Sequence, residues 1–108
     1  MKSPAALLDD ELLRPVSRGL LKPLILVLLA KEELHGYRLM ERLKALVGRR
    51  MGPGFIYPAL KELEGKGYIK GRWLNGGGRR VKKYCLTDAG RVLCRRFKEY
   101  LQSLLDEL

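Results

Sequence analysis

Three consecutive glycines, Gly76 to Gly78, separate the run "YIKGRWL" (68–74) from the run "RVKKYCL" (80–86). Both runs are rich in aromatic and β-branched residues, and glycines supply the positive φ that a tight reversal needs. The pair therefore predicts an antiparallel hairpin joined through "NGGGR". That hairpin constrains the fold, because every other periodic segment of the chain has helical spacing.

Leu7 to Leu13 predicts a short helical segment stopped near Pro15. A second helix is predicted from about Arg18 to Lys31, with Leu20, Leu21, Leu24, Ile25, Leu28 and Leu29 at helical spacing and Pro23 in its first turns. In "HGYRLMERLKALVG" the residues Leu39, Leu43, Leu46 and Val47 form one apolar face, and Gly48 suits the stop. "RRMGPG" (49–54) has turn chemistry. "FIYPALKELEGKG" predicts a third helix with Ile56, Leu60 and Leu63 inward and Tyr57, Ala59, Lys61 and Glu62 outward. Pro58 argues that it starts no earlier than about Gly54, since a proline deep in a helix costs about 3 kcal/mol. Thr87 is a good N-cap for a last helix running to the chain end, with Asp88 at the positive end of its dipole.

Three helices followed by a basic two-stranded hairpin predict a winged helix-turn-helix. The fold class is mainly α with a small β-hairpin, completed by a long C-terminal dimerisation helix. The expected divisions are an N-terminal helical segment (1–17), the winged helix-turn-helix (18–86) and the C-terminal helix (87–108).

Charge indicates the partner. The 108 residues carry a formal net charge of +10, an excess that favours polyanions. Between Gly65 and Thr87 lie Lys66, Lys70, Arg72, Arg79, Arg80, Lys82 and Lys83 without one acidic residue. A solvated face would mix both signs, so contact with double-stranded DNA is the stronger reading. In the third helix, Tyr57 and Lys61 can reach phosphate or base edges.

The last helix places Cys94, Phe97, Leu101, Leu104 and Leu108 at alternating spacings of three and four, a seam widened by Leu93, Tyr100 and Leu105. That is more apolar surface than a core of this size covers, and a second copy of the chain is the natural occupant.

Other classes find little support. The longest apolar run, Leu24 to Ala30, is far short of the roughly 20 residues of a bilayer span. The opening residues lack the apolar stretch of a signal peptide, so a cytoplasmic location is expected. Cys85 and Cys94 fit no metal-ligand spacing and read as reduced thiols; His35 is the lone histidine. "GKG" and "GGGRR" lack the strand-to-helix setting of a phosphate-binding loop. No catalytic residue, metal or cofactor is expected, and no enzyme.

The blocks "LLKPLILVLLAKEELHGYRLMERL", "GPGFIYPALKELEGKGYI" and "GRRVKKYCLTDAG" together resemble the signature of PadR-family transcriptional regulators, over about Leu20 to Gly90. The single C-terminal helix is similar to the family's compact branch. The resemblance implies a homodimer that represses nearby genes through pseudo-palindromic promoter sites. It implies DNA contacts by Tyr37, Tyr57, Lys61, Arg79, Arg80, Lys82 and Lys83, to which this chain's own reading face and basic hairpin add Phe55, Pro58 and Arg72 as candidates. It also implies a dimer helix using Leu93, Phe97, Tyr100, Leu101 and Leu104, to which the seam spacing adds Cys94, Leu105 and Leu108. Two positions depart from the family pattern: Gly52 stands where a hydroxyl residue is frequent, and Phe55 where Ser or Thr is. Compact members that bind flat drugs use C-terminal tryptophans, whereas Trp73 lies in the wing here; Phe97 and Tyr100 leave room for a small apolar effector. A sequence-neutral architectural DNA- or RNA-binding protein and a winged-helix protein-interaction module are the alternative readings.

Overall fold

A computed structural model describes residues 3–48 and 51–108. In chain order the elements are α1 (Pro4–Leu7), α2 (Val16–Lys31), β1 (Leu34–His35), α3 (Gly36–Val47), α4 (Pro53–Gly65), β2 (Ile69–Gly76), β3 (Arg79–Leu86) and α5 (Asp88–Glu107). The expected helices and hairpin are all present, with two changes of boundary, one of position and one added strand.

The N-terminal helix lies at Pro4–Leu7 rather than Leu7–Leu13. Pro4 occupies its first turn, and the acidic run after it folds differently. Asp10 Oδ1 accepts from the Leu12 N–H at 2.8 Å, and the Asp10 carbonyl accepts from Leu13 and Arg14. Short polar side chains compete with helical bonding in this way.

Helix α2 begins at Val16, two residues before the expected start, so Pro23 falls in its interior. Helix α4 begins at Pro53, one residue early, and Pro58 is interior as well. Pro53 is tolerated because the first helical N–H has no partner to lose, while the Gly52 carbonyl accepts from Phe55 and Ile56 at 3.0 and 3.1 Å. Each interior proline deprives the carbonyl four residues earlier of its donor. Those carbonyls belong to Gly19 and Gly54, both exposed, and with no side chain to shield them they are left to water. The expected turn at 49–54 includes Arg49 and Arg50, which lie outside the described residues.

The core is one cluster. Leu21, Ile25, Leu26, Leu28 and Leu29 of α2 meet Leu39, Leu43 and Val47 of α3, Ile56, Leu60 and Leu63 of α4, and Ile69, Tyr84 and Leu86 of the hairpin. Ala59, expected outward, is buried with them. Gly48, at φ 115°, ends α3 as expected.

The sheet has three strands, in the order β1-β3-β2. Two-residue β1 pairs Leu34 with Tyr84 and His35 with Lys83, and it is absent from the sequence reading because two residues carry no periodicity. In the hairpin, Gly76 pairs with Arg79, leaving Gly77 and Gly78 as the turn, at φ 56° and 77°. Two consecutive positive φ values make the turn type whose twist matches the strands it joins.

Thr87 fixes α5 to the rest. Its hydroxyl accepts from the Gly90 N–H at 3.1 Å and donates to the Gly67 carbonyl at 2.6 Å, and its own N–H donates to the Tyr68 carbonyl at 3.1 Å. Gly90 is packed against that same Tyr68 carbonyl, where a Cβ has no room.

Candidate nucleic-acid interface

The exposed side of α4 follows from its buried side. With Ile56, Ala59, Leu60 and Leu63 inward, the residues opposite are Gly54, Pro58, Lys61 and Gly65. On one flank Phe55 lies beneath the Arg18 guanidinium, 5.4 Å from the ring centroid, and Glu62 pairs with Lys22 of α2. That hydrogen bond to Lys22 holds the Glu62 carboxyl below the ordinary carboxylate range. On the other flank Tyr57 lies across the N-terminus of α3: a Cβ on Gly36 would sit 2.9 Å from its ring. Tyr37, 61% exposed, is next along that N-terminus, with its ring 6.5 Å from His35. The structure thus brings Tyr37, Tyr57 and Lys61 to one surface, although the sequence spreads them over 25 positions. His35 caps α3, its Nδ1 accepting from the Arg38 N–H at 3.2 Å.

The hairpin does not present its cations together. Alternation along paired strands puts Ile69, Gly71, Trp73 and Asn75 on one face with their partners Leu86, Tyr84, Lys82 and Arg80. This face is continuous with the core and with α4. The opposite face carries Lys70, Arg72 and Leu74 with Cys85, Lys83 and Val81, together with Arg79.

Two of the expected DNA-contacting cations have intramolecular partners. Lys82 crosses over Gly71, where a side chain would block it, and donates to Glu64 Oε1 at 2.9 Å; Glu64 Oε2 accepts from the Gly71 N–H at 3.1 Å. The hydrogen bond to Glu64 pushes the Lys82 ammonium above the ordinary lysine range, against a smaller opposing effect of burial. Arg72 is bound to Glu33 at 2.6 Å. Arg79, Arg80, Lys61 and Lys83 have no carboxylate partner among the described residues. Tyr84 beneath Lys82 is pushed up by burial.

Helix α5 corrects the expected dimer seam at its start. Cys94 is 4% exposed inside its own core, so it drops out of the surface, and Leu93 packs against the same core. Phe97 is half-buried. Beyond it Tyr100, Leu101, Leu104, Leu105 and Leu108 are all exposed, continuing the same apolar stripe past the end of the protomer's core. The sequence reading missed Arg18 and gave Trp73 no part in the site. The signal for Arg18 was its place in the turn before α2's apolar run. For Trp73 it was a large aromatic at mid-strand among cations.

A helical reading element buttressed by two others, flanked by a basic β-hairpin, defines a winged helix-turn-helix of the kind found in transcription factors. The sequence profile of the PadR-like family of transcriptional regulators matches residues 25–96. The transcriptional regulator Rv3488 of Mycobacterium tuberculosis is 34% identical over 98 residues, 89% of each chain. An uncharacterized 37.1 kDa protein of a Streptomyces fradiae transposon is 42% identical over 73 residues, 68% of this chain, which spans only 20% of its length. Among solved structures, a PadR-like regulator from Bacillus cereus superposes with a TM-score of 0.78 at 26% identity, covering 86% of this chain and 91% of its own. Bacillus subtilis PadR, solved in complex with operator DNA, superposes with a TM-score of 0.63 at 34% identity, over 72% of this chain and 45% of its own. The chain belongs to the PadR-like family: it is a DNA-binding transcriptional regulator and not an enzyme. No helix among the described residues is long and apolar enough to cross a membrane.

Proposed function

We propose that the protein is a homodimeric repressor that binds a pseudo-palindromic promoter site in cytoplasmic chromosomal DNA. Residues 18–86 form the reading unit, 87–108 the dimer helix, and 1–17 an N-terminal appendage. The observation that carries this reading is the surface where Tyr37, Tyr57 and Lys61 converge beside a wing whose Arg79, Arg80 and Lys83 have no carboxylate partner among the described residues. Helix α4 enters the major groove, with Lys61 reaching base edges and Phe55 and Pro58 making apolar contact there. Arg79 and Lys83 neutralise phosphates, and Arg80 meets the DNA from the other face of the wing. Lys82 and Arg72, being internally paired, shape the wing more than they bind. The exposed stripe of α5, Tyr100 to Leu108, packs against its counterpart in a second copy. Two half-sites one helical turn apart then match two α4 helices. A small apolar effector lodged between the paired α5 helices near Phe97 and Tyr100 alters their separation.

One observation favours sequence-neutral binding as a second reading. The outermost line of α4 holds only Lys61 as a hydrogen-bonding side chain, and Arg, Asn and Gln, which make bidentate base contacts, are absent from it. Selection of sites from a randomised duplex pool, followed by salt titration of the selected and a scrambled duplex, decides between the two. The repressor reading expects an enriched inverted repeat bound at least about a thousandfold more tightly than the scrambled sequence at physiological salt. Equal affinities with equal salt slopes refute it.

A further inference from the structure

Trp73 is the chain's one tryptophan, and it stands 55% exposed in the middle of the wing. Its ring belongs to the face of the hairpin that continues into the core and α4, where Arg80 lies with its guanidinium 4.9 Å from the ring centroid. Lys82 covers the ring too, at 5.6 Å, but its charge is committed to Glu64. Arg80 is thus the one cation of that face without a carboxylate partner among the described residues. It sits two residues from the Gly77–Gly78 turn, opposite Asn75. An arginine at a strand end normally samples many rotamers, and a stacked indole removes much of that freedom before binding.

The outer line of α4 has little base-reading chemistry, so discrimination among sequences has to come partly from elsewhere. We propose that Trp73 is a positioning residue that holds Arg80 ready to enter the minor groove flanking each half-site, giving the protein a preference for narrow, A·T-rich flanks. The chemistry is electrostatic: a narrow minor groove concentrates negative potential and attracts an inserted arginine, while the guanine amino group widens and blocks it. The proposal rests on the DNA-binding reading above and adds where part of the specificity resides.

The test uses the full-length protein and one selected half-site core, with the base pairs under the wing made A·T, G·C or I·C. Inosine lacks the minor-groove amino group yet offers guanine's N7 and O6 acceptors in the major groove, so I·C isolates the groove that matters. Wild type is expected to bind the A·T and I·C duplexes about five- to tenfold more tightly than G·C. Arg80→Ala reduces that ratio to within about twofold, and so does Trp73→Ala although Arg80 is still present; Trp73→Phe, which keeps an aromatic face, restores most of it. Trp73 fluorescence changes on binding A·T duplexes and does so less in Arg80→Ala. The circular dichroism of the variants stays as in wild type. An I·C flank behaving like G·C, or a flank preference undiminished in Trp73→Ala, overturns the proposal. Tight core-specific binding with no flank preference in wild type also overturns it and leaves the regulator reading intact. Absence of any core selectivity counts against both.

Discussion

Gly90 offers a test in which one substitution has opposite signs at two places in the fold. Replacing glycine by alanine inside a helix ordinarily stabilises by up to about 1 kcal/mol. At Gly19 of α2 nothing lies within 4 Å of the new methyl group, so Gly19→Ala should show that gain. At Gly90 the new Cβ overlaps the Tyr68 carbonyl oxygen and sits 3.0 Å from Leu86 Cδ2 and 3.1 Å from the Tyr68 carbonyl carbon. The obstacle is backbone, and it is the carbonyl that accepts the Thr87 N–H. Overpacking costs about 1–3 kcal/mol, a lost backbone hydrogen bond about 1 kcal/mol, and a weakened cap up to about 1 kcal/mol. Against the helical gain, the net loss is about 1–4 kcal/mol. For a domain of this size, about 4–8 °C per kcal/mol makes this a fall in Tm of roughly 4–30 °C. Thermal unfolding followed by far-UV circular dichroism, at one fixed protomer concentration, measures both variants. A Gly90→Ala protein that melts at or above the wild-type temperature refutes the claim that α5 is docked on the Tyr68 carbonyl.

Leu104→Asp, placed on the exposed stripe of α5, should convert the proposed dimer to a monomer in sedimentation velocity while leaving helical content nearly unchanged. Arg79→Ala should weaken binding to all duplexes alike and lower the salt slope by about 0.9 per protomer, whereas Lys61→Ala should instead narrow the gap between selected and scrambled sites; both are read in one fluorescence-anisotropy titration. In NMR-monitored titration Glu62 should lose its proton at lower pH than an ordinary carboxylate, and Lys22→Ala should return it to the normal range. Because the folded-state pKa is depressed, this pair's contribution to stability is present above the unfolded pKa and is lost as pH falls through the lowered one, so the pH dependence of acid unfolding should be shallower in Lys22→Ala.

Helices α2 to α5 were legible because each carries a repeating apolar pattern bounded by proline, glycine or a capping residue, and the hairpin because two aromatic and β-branched runs flank three glycines. What escaped depended on pairing between distant segments. The seven cations between Gly65 and Thr87 read as one charged patch until register divided the six on the strands between two faces, and nothing local indicates that Lys82 will cross Gly71 to reach Glu64, 18 residues earlier. Cys94 fits the heptad spacing of a dimer seam, but the same spacing serves α5's packing on its own α2. Ala59 went astray because a small side chain marks neither face strongly.

The Thr87 junction makes a short hub of a long lever. Two hydrogen bonds and a glycine contact join the first turn of α5 to the segment directly after α4, so the two helices share a pivot. Twenty residues at about 1.5 Å each extend α5 about 30 Å from that pivot. Moving the far end by about 2 Å corresponds to a turn of roughly 4° at the hub, which gears small adjustments between copies down to fine changes in the pitch of α4. An extra residue inserted between Gly65 and Tyr68 would act as slack in that gearing, leaving both helices folded and their angles uncorrelated.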